Sequence, residues 1–267
     1  MPEPRLSQIQ CVLLDMDGTF YLGERLLPGA AAFIETLRAG SQRFVFLTNN
    51  TSQNRQHYLA KMLRLGVRLS DEEIFTAGEA SALWLQERAA GCAVFLAGTP
   101  ALAEVFTGHG FRLVQEDPDW VVLGFDTTLT YDRLWKLCDH VRAGRPYLAT
   151  HPDFNCPTDG GFKPDIGAMI AFVEASTGRR PDVVIGKPHA PILEALVRRT
   201  GVPVESMCMV GDRLYTDIAL GAHGVMTVLV LSGETSGEAL QASDYAPDLV
   251  VQDLAELNGL WRQARPE

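Results

Sequence analysis

Cysteine is scarce and unpatterned: Cys11, Cys92, Cys138, Cys156 and Cys208 make an odd set with no C-x-x-C pair. Neither a disulfide framework nor a zinc site fits such spacing, and thiols inside apolar runs, as at Cys11 and Cys208, pack as small core residues. A reduced, intracellular protein is the expectation. Long apolar runs are missing as well. No stretch approaches the roughly 18 residues of a membrane span, and the opening MPEPRLSQIQ carries no apolar signal core, so a cytoplasmic location without a membrane partner is expected. Basic charge is in deficit, with 23 Lys and Arg against 33 Asp and Glu and a net charge of -10. Polyanions bind to a positive footprint, so no nucleic-acid partner is expected. Fixed-period repeats and low-complexity tracts are absent, and His57, His109, His140, His189 and His223 lack ligand spacing.

What is present is apolar substance. With 46% hydrophobic residues in 267, the chain can bury a full core in one or two domains. Short apolar runs alternate with amphipathic segments: VLL before Asp15, a helix over 30–39, FVFLT (44–48), a helix over 54–65, VVIG (183–186), a helix over 191–200, MCMV (207–210), a helix over 216–223, and VMTVLVL (225–231). That rhythm predicts an α/β fold built on a mainly parallel, Rossmann-like sheet.

Ligands of such sheets gather outside the carboxyl ends of the strands. After VLL come Asp15 and Asp17; after FVFL come Thr48, Asn49 and Asn50; after VVIG comes Lys187; after MCMV come Gly211 and Asp212, with Asp217 further on. Each has a structural reading alone, since Thr-Asn-Asn can cap a helix, Lys can be solvated and Gly-Asp can turn. Their order and shared position are what give them weight.

That order, D-M-D-G-T at 15–19, T-N-N at 48–50, G-K-P at 186–188 and G-D-R-L-Y-T-D at 211–217, resembles the four motifs of the haloacid dehalogenase (HAD) superfamily of phosphohydrolases. The resemblance implies that Asp15 is a nucleophile forming an aspartyl-phosphate and that Asp17 is the general acid and base. Mg²⁺ would be held by Asp15, the backbone carbonyl of Asp17 and Asp212, with Asp217 supporting the metal shell. Lys187 would balance charge on the transferring group, and Thr48, Asn49 and Asn50 would bind its oxygens.

The interval from Asp15 to Thr48 accommodates one crossover and no more, whereas that from Thr48 to Lys187 is roughly a hundred residues longer than a crossover needs. An inserted α/β domain is expected there, placing the core at 1–79 and 181–267 and the cap at 80–180. Insertion after the second motif (C2-type) resembles subclass IIA, the nitrophenylphosphatase or NagD-like branch. The segment ATHPDFNCPTDGGFKPDIGAM (149–169) resembles that branch's cap loop, with His151 in place of the usual Asn. His151 and Phe154 stand there as candidate substrate contacts or as loop-packing residues. The expected function is Mg²⁺-dependent hydrolysis of a small phosphorylated metabolite. The alternatives are a phosphotransferase or mutase of the same superfamily, or a phospho-ligand-binding protein without turnover. Oligomeric state is not legible in the sequence.

Overall fold

β1 (Cys11–Leu14) is buried along its whole length, as a central strand covered on both faces must be. It leads into the small hairpin β2 (Tyr21–Leu22) and β3 (Arg25–Leu26), then α1 (Ala30–Ala39), β4 (Arg43–Thr48), α2 (Arg55–Arg64), β5 (Ile74–Thr76) and α3 (Ala77–Ala89). The middle of the chain forms β6 (Ala93–Ala97), α4 (Pro100–Gly108), β7 (Arg112–Leu113), β8 (Trp120–Leu123), α5 (Tyr131–Arg142), β9 (Tyr147–Ala149), the hairpin β10 (Asn155–Thr158) and β11 (Gly161–Pro164), α6 (Ile166–Thr177) and β12 (Val183–Val184). The remainder supplies α7 (Ala190–Thr200), β13 (Met207–Gly211), β14 (Met226–Val230), α8 (Gly237–Gln241), β15 (Leu249–Val251) and α9 (Leu254–Ala264). This computed structural model describes residues 6–158 and 161–265; Asp159 and Gly160 of the expected cap loop lie outside the described residues. Among the described residues no helix is long and apolar enough to cross a membrane.

The chain divides into two compact units. One, drawn among the described residues from 6–47, 59–75 and 196–265, holds a six-stranded sheet in the order β15-β14-β13-β1-β4-β5. β1 runs parallel to both β13 and β4, with Leu14 opposite Val210 on one side and Phe46 on the other. Phe20 packs edge-on to Phe46 at 4.7 Å, and α1 meets α9 through Phe33 and Trp261 at 5.7 Å.

The other unit, residues 48–58 and 76–195, holds a five-stranded sheet in the order β12-β9-β8-β6-β7, parallel throughout. Its core includes Phe95, Val121, Leu123, Tyr147, Ile166 and Val173. Helix starts follow local chemistry: Thr99, Thr130 and Asp165 cap α4, α5 and α6 by accepting a backbone N–H, and Pro100 occupies the first turn of α4.

Two local expectations differ. In place of the helix expected over 216–223, residues 218–223 form a short 3-10 segment ended by Gly224 in the left-handed conformation. VVIG supplies an edge strand of the second unit's sheet. Asp182 accepts from the Tyr147 N–H and donates its own N–H to the Tyr147 carbonyl, pinning β12 beside β9. An apolar run announces a strand but not its partner.

Trp261 is 1% exposed, so Trp261→Ala removes a large buried ring from the α1–α9 contact. The expected cost is about 3–5 kcal/mol, read as a lower urea midpoint with an unchanged slope.

Candidate active site

The parallel pairing of β1 with β13 determines where the carboxylates go. The Asp15 N–H donates to the Val210 carbonyl at 2.9 Å, which continues the ladder one residue past β1 and places Asp15 beside the end of β13. Asp212 follows β13 directly, and Asp217 returns to the same spot as its Oδ2 accepts from the Arg213 N–H at 3.1 Å. Carboxylate oxygens of Asp15, Asp212 and Asp217 all lie within 4.8 Å of one another, with Asp212 and Asp217 buried.

Asp212 is held from several sides. Its Oδ2 accepts from the Glu234 N–H at 2.7 Å, its Oδ1 from the Thr19 hydroxyl at 3.4 Å, and its carbonyl from the Thr235 hydroxyl at 2.5 Å. Burial, and then the neighbouring charge of Asp217, push the Asp212 carboxyl up to about 7. Gly18 crosses this carboxylate so closely that a Cβ would stand 2.3 Å from Asp212 Oδ2, and its φ of +84° is a conformation glycine alone adopts readily. The Ser232 hydroxyl ties the Gly18 carbonyl at 3.0 Å.

Asp17 lies outside the trio. Its side chain reaches solvent on one side, while the protein packed around the rest raises its carboxyl above the ordinary range. Lys61, the Tyr21 hydroxyl at 3.2 Å and Arg213 pull in the opposite direction without cancelling that effect. Lys61 itself sits 3.7 Å over the Tyr21 ring. A carboxyl with raised proton affinity and an open side is suited to giving and taking protons.

In the second unit the T-N-N segment divides its labour. The Asn50 N–H donates to Thr48 Oγ1 at 3.1 Å, leaving the Thr48 O–H to donate elsewhere. Asn50 Oδ1 accepts from both the N–H and the hydroxyl of Ser52, an Asx turn that shapes the loop before α2. The Asn49 side chain is bonded to the backbone of Lys187 and to Asp153. His151 is fully buried between Asp153 and Asp165, whereas Phe154 is 61% exposed.

Sequence reasoning missed Asp153 and the cluster of Thr19, Ser232, Glu234 and Thr235. The last three follow β14, so the rule that drew attention to the ends of β1 and β13 would have found them had it been applied to VMTVLVL.

The chain matches a haloacid dehalogenase-like hydrolase family over residues 12–112 and a HAD-hydrolase-like family over residues 184–257. It is 31% identical to the 5'-nucleotidase YutF of Bacillus subtilis, across 91% of this chain and 95% of that protein. The solved 4-nitrophenylphosphatase of Thermotoga maritima superposes with a TM-score of 0.93 at 48% identity, covering 95% of this chain and 98% of the other. NagD of Escherichia coli K-12 superposes at 0.86 with 31% identity, covering 93% and 98%. The chain belongs to the haloacid dehalogenase superfamily, in its nitrophenylphosphatase and NagD-like branch. As a HAD-type phosphatase it is an enzyme, and the trio of Asp15, Asp212 and Asp217 is its candidate catalytic and metal-holding cluster.

The oxygen-only donor set of the trio is that of a hard divalent cation, and three carboxylates this close repel one another unless positive charge or protons intervene. The residues therefore fit a metal. The raised Asp212 carboxyl sets a pH dependence for the metal-free phosphatase. With a native value near 7 against an ordinary 3.8, the folded state holds the extra proton between those limits. Stability in EDTA should be fully present below the lower limit and lost as pH rises through about 7, and Asp212→Asn should flatten that slope. Chemical melts across pH 4–8 check both.

Proposed function

We propose that this phosphatase hydrolyses small phosphate monoesters in two steps on the D-M-D-G-T segment, with Mg²⁺ as its cation. In the first, a carboxylate oxygen of Asp15 attacks phosphorus, and the bond to the leaving oxygen breaks as Asp17 protonates that oxygen. In the second, Asp17 takes a proton from water, which attacks the aspartyl-phosphate and releases inorganic phosphate with Asp15 regenerated. The observation that carries this reading is the convergence of Asp15, Asp212 and Asp217 beside the separately placed Asp17, whose raised carboxyl matches a proton donor.

Asp15, the Asp17 carbonyl and Asp212 would hold the cation, and Asp217 would support them. Bound there, a divalent cation offsets the carboxylate charge and polarises a phosphoryl oxygen. The hard oxygen set supports Mg²⁺ over softer metals. Motif order supports Lys187 as the residue that balances charge on the transferring group, and the Thr48 hydroxyl as a donor to its oxygens. Residues 80–180 are read as the inserted cap and 1–79 with 181–267 as the core. An extra sheet whose strands β6 to β9 fall within 80–180 supports an insertion there, with its edge strand β12 just beyond that bound, and a cap favours a small phosphorylated metabolite as substrate. Among the described residues no disulfide joins the five cysteines, which supports a reducing, cytoplasmic setting.

Asp15→Asn should lower turnover by about a thousandfold or more with the fold intact, since the amide is a poor nucleophile of nearly the same shape. Phosphate release and circular dichroism read this together, and near-wild-type release would take the nucleophile role from Asp15. Asp17→Asn should lose about a hundredfold or more on an alkyl phosphate but clearly less on p-nitrophenyl phosphate, whose leaving group needs little protonation. Equal losses on both would remove Asp17 as the acid.

Mg²⁺ at about 100 times its dissociation constant should stabilise the protein by roughly 2.7 kcal/mol. Asp212→Ala should abolish most of that shift in melting temperature; an equal shift in both proteins would mean that the cation binds elsewhere.

A further inference from the structure

The second unit contains a chain of buried polar groups that no substrate is needed to explain. Asn49 Oδ1 accepts from the Lys187 N–H at 2.9 Å, and Asn49 Nδ2 donates to the Lys187 carbonyl at 2.9 Å. One side-chain amide thus grips both backbone groups of a single residue. The other Nδ2 hydrogen goes to Asp153 Oδ1, also at 2.9 Å. A carboxylate only accepts, so Asp153 dictates which end of the Asn49 amide faces it. The amide is then turned the one way that gives Oδ1 to the Lys187 N–H.

Asp153 is fixed in its turn. Its carbonyl accepts from the Gly167 N–H at 2.8 Å in the first turn of α6, and its own N–H donates to His151 Nδ1 at 3.4 Å. The His151 ring lies between two carboxylates, with Nδ1 3.7 Å from Asp153 Oδ1 and Nε2 3.6 Å from Asp165 Oδ1. Asp165 Oδ1 also accepts from the Ile166 N–H at the head of α6. Asn49, His151, Asp153, Asp165 and Lys187 are all buried, none more than 5% exposed. In such surroundings a polar group that loses its partner is costly, which keeps the chain in one arrangement.

Gly186 is an independent sign of how tightly Lys187 is held. A Cβ there would stand 2.6 Å from Asn49 Oδ1 and 2.8 Å from both His151 Cβ and the Thr150 carbonyl. The backbone entering Lys187 passes between Asn49 and His151 with no room for a side chain.

We propose that Asp153, backed by His151, is a positioning residue that sets Lys187 through the Asn49 side chain. Asn49 and His151 serve this arrangement rather than binding substrate through their side chains. The inference rests on the reading of Lys187 as the cation of the phosphoryl-transfer step.

The test is a double-mutant cycle on p-nitrophenyl phosphate hydrolysis in the full-length enzyme with saturating Mg²⁺, using single-turnover rates where variants are slow. Asp153→Ala should lower kcat by about tenfold to a hundredfold with KM changed less than about threefold, as misplacement of a catalytic group does. Asp153→Asn retains an acceptor oxygen and should recover much of that loss. In a Lys187→Ala background the further effect of Asp153→Ala should shrink to within about twofold, because the group being positioned is gone. Asn49→Ala should follow the same pattern and carries the cycle if Asp153→Ala does not fold. Equal fold-losses in both backgrounds, or an unchanged kcat in Asp153→Ala, would overturn the positioning role while leaving Lys187 in place. A Lys187→Ala enzyme at the wild-type rate would overturn the reading of Lys187 itself, and this inference with it.

Discussion

Mutual repulsion among three carboxylates is the constraint around which the first unit is arranged. Asp15, Asp212 and Asp217 are brought together by the pairing of β1 with β13, and apolar burial along both strands forces that pairing whatever the charges prefer. The surroundings answer with donors among other contacts: the Glu234 and Arg213 amides and the Thr19 hydroxyl all aim at carboxylate oxygen. Hydrogen bonds to the charged form ease its burial, yet Asp212 still ends with a raised proton affinity, so desolvation outweighs them. A site left in that state is one in which positive charge is worth more than in water.

The second unit solves a different problem, that of aiming one long, flexible side chain. A lysine stem has four rotatable carbons, and ordering it costs entropy. Fixing both backbone groups of Lys187 with the Asn49 amide removes freedom at the root of the side chain, where a small rotation would be amplified at the ammonium. The Asn49 amide is engaged at both ends inside the protein, and the Asn50 side-chain oxygen is engaged by Ser52.

Much of this was legible in the residues. The four polar groups following VLL, FVFL, VVIG and MCMV could be picked out because strand ends are where α/β sheets expose their chemistry, and apolar runs mark strands clearly. The helix over 30–39 kept its expected extent because its apolar positions recur at helical spacing, burying Ala30, Phe33, Ile34 and Leu37. What escaped was pairing. β12 joins β9 through Asp182, and a two-residue edge strand has no apolar pattern that names its neighbour. His151 could be noticed as unusual in its loop, but its burial depends on Asp165, fourteen positions on, across a hairpin. The support that Asp153 gives Asn49 spans still more of the chain, and no local pattern encodes it.

The strand order β13-β1-β4 also orders events during synthesis. β1 and β4 leave the ribosome early and can pair at once, but the other edge of β1 belongs to β13, made after the entire middle of the chain. Until then one flank of a wholly apolar strand is without its permanent neighbour, and its contacts remain to be closed over a long loop. Asp15 is without Asp212 and Asp217 during that interval. The three like charges first meet when β13 docks, so the electrostatic penalty of the site falls on that later step and leaves the pairing of β1 with β4 unburdened.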